Sequence, residues 1–430
     1  MTLVALESLS FGLGRMAAAA AETGHRLCLL TGDRSVYRHE LATLPPDALT
    51  VVDVDTRDPS ATRRALAAVP DVAGLINTTD TWSVPAAELA ASSGLPGPAP
   101  DAVRLLRDKS RVRALLHARG LSRSTAVRLT GGRPGAGEVL RRVGLPAVLK
   151  DSAGTSSRNV WIVHDEESLH RALDEAAQQP LMGSLFAEAF LAGPLYSAET
   201  LSWDGTTRLL GVLSRQTSRE PAVREEAAAF PVALPDDEAP GHEAPDDEPG
   251  DGHGGARNDG GRRGIERWAG RVLHAAGHHR GFAHVEFILT AHGPELVEIN
   301  RRIGGALVGE VLCRSLGTNV YTAMMEEALG RRPGLMDAPL DRTGPAYGFV
   351  LVHADRPGVL KGWHGLGELA AFPGSVQWYP TREPGETLAH VTDQRGCTGI
   401  VLAEAATAEL AQHRAWSAAT RVRPIVVGGA

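Results

Sequence analysis

The apolar positions at the start of the chain fall into short unbroken runs separated by polar turns. LVALES (3–8) and HRLCLLTGD (25–33) have the character of buried strands, and Met16–Thr23 between them reads as a helix, which predicts a β-α-β opening. The turn Phe11-Gly12-Leu13-Gly14 at the first junction supplies a GxG of the kind that cradles dinucleotides. The third glycine of that fingerprint is absent, and Arg15 and Met16 follow instead. Further βα units run through VVDVD and VAGLINTTD until SSGLPGPAP, with three prolines and two glycines, breaks the pattern and predicts a domain boundary near residue 97.

Beyond it, DAVRLLRDKSRVRALLHARGL reads as one helix, and STAVRLT and LPAVLKD as strands flanking a shorter helix. A Gly/Ser loop, Asp151 to Asn159, leads into the strand VWIVH. The stretch LFAEAFLAGPLYSAETLSWDGTTRLLGVLSRQ contains a hairpin marked by its Asp204-Gly205 turn. From Pro235 to about Gly264 almost no apolar residue occurs, so this acidic tract is expected to be a disordered insertion that cannot offset its ordering entropy by burial. A docking tail, or a metal site on His242 and His253, is the alternative for it. IERWAGRVLHAAGHH then reads as a helix, GFAHVEFILT as a strand, and PELVEIN as a second strand after a turn at His292-Gly293.

Composition narrows the class of protein. At 430 residues, 43 % of them apolar, two to four domains are expected. The net charge of −7, from 44 basic and 51 acidic residues, is concentrated in the acidic tract and gives no reason to expect nucleic acid as a partner. Cys28, Cys313 and Cys397 are far apart and lack CxxC spacing, so free thiols are expected. The start MTLVALESLSFG lacks a basic n-region, and Ala17–Ala21 is too short and too soon followed by Glu22 to cross a membrane. A cytoplasmic protein without membrane partners is the expectation.

Two clusters carry candidate chemistry. In a ribbon formed by GFAHVEFILT and PELVEIN, Glu286, Glu298 and Asn300 point to one side. Two carboxylates and an amide oxygen make a hard, oxygen-only set suited to Mg2+, the alternative being a solvated hairpin face. Upstream, Lys150 ends the strand LPAVLK immediately before the loop DSAGTSSRN, where an ammonium and small-residue backbone N–H groups can meet one phosphate. The spacing is not that of a Walker P-loop. Lys109, beside Asp108 on a helix, is ordinary taken alone.

In order and spacing, RDKSRVR, LPAVLKDSAGTSSRNV, LFAEAFLAGPLYSAE, HVEFIL and LVEINRRIGG together resemble the ATP-grasp enzymes. The resemblance covers nearly the whole chain. NTTDTWSVPAAELAASSGLPGP, the AHVEF strand and GVLKGWHGLGELAAFPGSVQWYPTREPGE are similar to the carboxylate-amine ligases that include L-amino-acid ligases and dipeptide synthases. The fold this implies is a multidomain α/β and α+β one. It comprises an N-terminal pre-ATP-grasp α/β domain (1–97), a small ATP-grasp subdomain with a flexible loop (98–185), a large subdomain carrying the insertion (186–335, insertion about 235–264) and a C-terminal domain (336–430).

Carried over by position, the resemblance makes Lys109 and Lys150 phosphate ligands. Ser152, Gly154, Ser156 and Ser157 belong to the loop over the phosphates, and Glu188, Ala189, Phe190 and Leu191 form the hinge that meets adenine through its backbone. Glu286, Glu298 and Asn300 bind Mg2+, two ions being expected with Mn2+ able to substitute. Arg302, in the E-[IV]-N-x-R position, acts with Lys150 on the transferring phosphoryl group, and Gly304 and Gly305 admit the substrate. Arg215 is a candidate contact for phosphate or a substrate carboxylate, or else a surface arginine, and His284 a candidate base for the amine, or else a structural histidine. His278 and His279 are read as partners of a helix C-terminus. Leu195 stands where many relatives place a ribose-binding glutamate, so either Tyr196 or Glu199 substitutes or ribose binding is weaker.

The implied reaction is ATP-dependent: a carboxylate becomes an acyl phosphate, an amine attacks it, and ADP and phosphate leave. Both substrates are small molecules, one of them an amino acid, and a homodimer is possible within the family. A carboxylase or purine-pathway ligase, and a nucleotide-binding regulator without catalysis, are the competing readings.

Overall fold

A computed structural model of the chain describes residues 1–129, 134–221, 223–234, 261–340 and 344–428. The acidic tract, with His242 and His253, lies outside the described residues as far as 260. The helix that follows the tract, Arg262–Ala275, begins at Arg262. Gly264, Ile265, Trp268, Ala269, Val272 and Leu273 are buried on one face of that helix, and this apolar stripe fixes its first turn.

Four strands, β1 (Thr2–Leu6), β2 (Arg26–Thr31), β3 (Thr50–Asp53) and β4 (Val72–Ile76), form an all-parallel sheet in the order β3-β2-β1-β4. Strand alternation divides its apolar residues between two cores. Leu3 and Ala5 pack with the helix Leu13–Glu22 and with Tyr321, Met324 and Met325, whereas Val4 and Leu6 pack with Leu66, Leu75 and Leu89. The helix starts at Leu13, three residues before the position expected from the sequence.

The stretch 101–121 is not one helix. It breaks into Pro100–Leu106 and Lys109–Ala118, because Asp108 adopts an extended conformation and its side chain accepts from Arg111 N at 3.1 Å as an N-cap. Lys109 is thereby placed on the first turn of a new helix.

An antiparallel sheet of β5 (Val127–Arg128), β6 (Ala147–Asp151), β7 (Val160–Val163) and β8 (Leu185–Ala189) follows, in the order β5-β8-β6-β7. Ala147, Leu149, Leu185 and Ala187 bury against Val139, Leu169 and Leu173 of two covering helices. Alternation then turns Val148, Lys150 and Glu188 to the other face.

The largest sheet has eight antiparallel strands. They are β9 (Leu195–Trp203), β10 (Thr206–Thr217), β11 (Glu225–Phe230), β12 (Gly281–Thr290), β13 (Gly293–Asn300), β14 (Ala346–His353), β16 (Gln377–Pro380) and β18 (Cys397–Ala405), ordered β13-β12-β9-β10-β11-β14-β18-β16. β15 (Gly358–His364), β17 (Thr387–Leu388) and β19 (Arg423–Val427) make a small separate sheet. The β9–β10 hairpin turns at Asp204-Gly205 as expected, with φ of 49° and 84° at these residues. The β12–β13 turn falls at Ala291-His292, one residue earlier than expected, since Thr290 already pairs with Gly293. No described helix is long and apolar enough to cross a membrane.

Candidate active site

The inner face of the β5-β8-β6-β7 sheet, one face of the eight-stranded sheet and the loops after β1 and β4 enclose a cleft of about 1060 Å³. Lys109 and Lys150 enter it from the first side. Lys109 Nζ lies 2.9 Å from Glu298 Oε2 and donates to the Gly154 carbonyl at 2.7 Å, and Lys150 Nζ lies 2.7 Å from Glu188 Oε1. Lys109 therefore pairs across the cleft rather than with its neighbour Asp108, which caps the helix and binds Arg128.

The loop after β6 is anchored at its base and open at its tip. The buried Asp151 carboxylate accepts from Ala153 N, Met182 N and Gly183 N at 3.0, 2.6 and 2.9 Å. Ser152 is buried, its Oγ accepting from Ser184 N at 3.0 Å, and it does not line the cleft. The structure thus makes it an anchor rather than a phosphate contact. Gly154, Ser156 and Ser157 do line the cleft, and Ser156, Ser157 and Asn159 hold left-handed φ of 60°, 57° and 56°.

The hinge residues behave in two ways. Ala189, Phe190 and Leu191 line the cleft beside the apolar side chains of Val148, Leu195 and Ile288. The Glu188 side chain is buried between Arg113 Nε (2.8 Å) and Lys150, and despite burial these two cations hold its carboxyl below the ordinary range.

Across the cleft, antiparallel register puts Glu286 opposite Glu298 and His284 opposite Asn300, so all four share one face. Asn300 donates to Glu298 Oε1 at 2.6 Å. Burial opposes ionisation of Glu298, yet Lys109 and the Asn300 amide hold its carboxyl well below the usual carboxylate range. Among the described residues no three His, Cys, Asp or Glu side chains form a preassembled metal cluster. The donor set is instead two opposed carboxylates and an amide, each carboxylate now facing a cation. These are hard oxygen ligands of the kind Mg2+ takes when it shares its shell with phosphate, so the residues fit that ion.

His284 is 1 % exposed, its Nδ1 lying 2.5 Å from Glu199 Oε1 and its Nε2 3.1 Å from Glu286 Oε1. Burial disfavours the charged ring, but Glu199 and Glu286 raise its pKa to about 9. An imidazolium that donates to two carboxylates has no lone pair for an amine proton, so the structure removes His284 as a base and makes it the support of Glu286. Glu199 is consumed by His284 and by Gly304 N (3.1 Å), which excludes it from ribose. Tyr196 is also misplaced for that role. It pairs with Phe287 on the opposite strand face and stacks on that ring at 5.7 Å, away from the cleft that Leu195 lines.

Arg302 donates through Nε and Nη2 to Asp80 Oδ2 at 3.0 and 2.5 Å, and both residues line the cleft. A Cβ on Gly304 would stand 2.8 Å from His284 Nδ1, so this glycine serves packing rather than substrate entry. A Cβ on Gly305 meets nothing within 4 Å and faces the cleft. Arg215 is buried rather than a surface residue, 2.7 Å from Glu225 Oε2 and 3.6 Å from Glu286 Oε1. Burial, reinforced by Glu286, pushes the Glu225 carboxyl up, although Arg215 works against it. Arg215 Nη1 and Glu225 Oε1 have no hydrogen-bond partner among the described residues.

His278 is buried with Nε2 3.1 Å from the Gly281 carbonyl. Burial and then Arg301 lower its pKa to about 3, so it brings no charge to a helix end. The Gly12-Leu13-Gly14 turn is occupied from within, Glu40 accepting from Gly12 N and Gly14 N at 2.7 Å each, which leaves no dinucleotide cradle.

Sequence reasoning passed over Asp80, Arg113 and Glu225. Asp80 follows a strand of a parallel sheet at its carboxyl end, where such sheets place functional groups, and Arg113 lies four residues from Lys109 on one helix. Glu225 carries no comparable signal.

The chain has the ATP-grasp fold. Residues 350–427 match the family described as L-amino acid ligase C-terminal domain 2. The crystal structure of L-amino acid ligase from Bacillus licheniformis superposes with a TM-score of 0.77 at 18 % identity, covering 99 % of each chain. The chain is 24 % identical to the y4rH protein of Sinorhizobium fredii over 345 residues, 78 % of this chain and 64 % of that protein. It is 27 % identical to carnosine synthase 1 of Homo sapiens over 289 residues, 63 % of this chain and 32 % of that one. The chain thus spans less than two thirds of the length of the y4rH protein and of carnosine synthase 1.

Proposed function

We propose that the chain is an ATP-dependent carboxylate-amine ligase that forms an amide or peptide bond through an acyl phosphate, with an amino acid as one substrate. The observation that carries this reading is the convergence of Lys109, Lys150 and Arg302 with the opposed pair Glu286/Glu298 and Asn300 in one cleft. A carboxylate approaching a polyphosphate brings anions together, and the cations they need are already in place.

Adenine lies against Val148, Leu195 and Ile288 and meets the backbone of 189–191. Lys109 and Lys150 hold the phosphates. Glu286, Glu298 and Asn300 would hold Mg2+, as two ions for which Mn2+ could substitute, and the bound charge would neutralise phosphate oxygens. Arg302, aligned by Asp80, faces the transferring group, and the 151–159 loop shields the acyl phosphate from water. With His284 protonated, the incoming amine loses its proton elsewhere, to solvent or the departing phosphate. The unpartnered Arg215 N–H and Glu225 oxygen are complementary to the charged ends of an amino acid.

An ADP-release screen over pairwise amino acids, with mass spectrometry of products, tests this. Orthophosphate and a product one water lighter than the sum of its substrates are expected. AMP and pyrophosphate, or no turnover with any pair, would contradict it.

A further inference from the structure

On the helix Lys109–Ala118, Lys109 and Arg113 lie four residues apart and so share one face. The chemistry above uses the first. Arg113 is 2 % exposed, heads the fully buried large side chains and does not line the cleft. It ties together the two sheets that bracket the cleft. Its Nε donates to Glu188 Oε2 on β8 at 2.8 Å, its Nη2 to the Leu296 carbonyl on β13, and its Nη1 to Ser122 Oγ at 3.3 Å, with Glu295 Oε2 4.0 Å away. The other Glu188 oxygen takes Lys150 Nζ at 2.7 Å. One carboxylate therefore sits between two cations, only one of which faces the cleft.

In a buried setting this sharing decides what Lys150 offers an incoming anion. A single carboxylate with Lys150 as its only partner would cancel the ammonium, because a close ion pair shielded from water presents little net field outside itself. With Arg113 sharing Glu188, Lys150 does not have to neutralise that carboxylate alone, and its ammonium keeps part of its field on the cleft side. The bond to Leu296 and the contact with Glu295 also hold Arg113 in place, so it cannot follow Glu188 into the cleft.

We propose that Arg113 is a positioning residue that compensates Glu188 from behind and so keeps Lys150 available to a polyphosphate in the cleft. The proposal rests on the reading of Lys150 as a phosphate ligand. Arg113 touches no nucleotide; it acts through Glu188.

The test is a cycle read by calorimetric binding of a non-hydrolysable ATP analogue to the full chain with Mg2+. Arg113→Met should weaken binding about 10-fold, since Glu188 then draws on Lys150 alone. Adding Glu188→Gln should bring the affinity back to within about 3-fold of wild type, because an uncharged neighbour makes no demand on Lys150. A purely structural arginine predicts the opposite, a double variant no better than the single one, and that result overturns the proposal, as does wild-type affinity in Arg113→Met. Should Arg113→Met not fold, the cycle is run with Arg113→Lys, whose single ammonium cannot serve both Glu188 and Leu296. A smaller loss that Glu188→Gln cancels is expected, and a loss that persists in the Glu188→Gln background overturns the proposal. Lys150→Met separates the two levels. Weak binding there with normal binding in Arg113→Met rejects only the role of Arg113, whereas normal binding in Lys150→Met rejects the phosphate role of Lys150 and the proposal with it.

Discussion

Of the glycine-bearing loops after β1 and β6, only the second is open to an anion. In the turn after β1, the Gly12 and Gly14 N–H groups are held by the Glu40 carboxylate, so the helix start is closed by the protein's own charge. In the loop after β6, the internal carboxylate Asp151 binds the base of the loop, while Gly154, Ser156 and Ser157 face the cleft with Lys109 and Lys150 close by. A glycine pattern marks where a backbone can approach an anion. Whether a site results depends on which group has already taken the donors.

The comparison breaks most sharply at the charges of the open side. Glu298→Gln removes the carboxylate held ionised by Lys109, and turnover should fall about 100-fold while affinity for ATP changes far less, since the transition state depends on bound Mg2+ more than the ground state does. Steady-state ADP release beside calorimetry reads both quantities, and near wild-type turnover would place Glu298 outside the chemistry.

The closed side should respond in stability alone. Glu40→Ala strands two backbone donors and should cost about 1–3 kcal/mol in denaturant unfolding, with turnover unchanged once the protein is folded. A loss of turnover larger than the loss of folded protein would show that the Gly12 turn takes part in catalysis after all.

The pH dependences of the two regions should run in opposite directions. Glu188 has a lowered folded pKa, so its stabilisation is present above the ordinary value of 4.5 and is lost as pH falls through the lower one. Burial raises the pKa of Glu40, so the stability associated with its neutral form is present below 4.5 and is lost as pH rises through the higher value. In melting curves from pH 2 to 8, Glu188→Gln should show a deficit of about 3 kcal/mol that is constant above pH 5 and shrinks only as the pH falls below 4.5. Glu40→Gln should gain on wild type as pH rises. Parallel curves for the two variants would refute the assignment.

The smallest effect separates adjacent glycines. Gly305→Ala should change stability by less than about 0.5 kcal/mol and raise KM for the acid substrate, whereas Gly304→Ala, crowding His284, should cost about 1–3 kcal/mol. Equal stability of the two variants would contradict the packing role of Gly304.

Much of this was legible in the sequence, because strand parity and motif order survive without coordinates. Alternation alone places Glu286, Glu298 and Asn300 on one face, and a lysine ending an apolar strand predicts the cationic side. A stronger signal lay in composition: the chain has only three lysines, Lys109, Lys150 and Lys361, among 44 basic residues. Retaining a compact ammonium at two cleft positions in an arginine-rich chain reflects a need that the guanidinium fork does not meet.

What failed depended on partners distant in the chain. The sequence leaves His284 between a base for the amine and a structural histidine, and Glu199, 85 residues away, decides for the second; Tyr196 and Glu199 are unfit for ribose because of their own distant neighbours. Asp80 meets Arg302 across 222 residues, and no local pattern announces such a pair.

The most direct test follows oxygen-18 from the carboxylate of the acid substrate during a single turnover with ATP. If the cleft phosphorylates that carboxylate, one labelled oxygen must appear in the released orthophosphate alongside ADP, because the C–O bond of the acyl phosphate breaks when the amine attacks. Label recovered in AMP with release of pyrophosphate, or orthophosphate that carries no label, would contradict it.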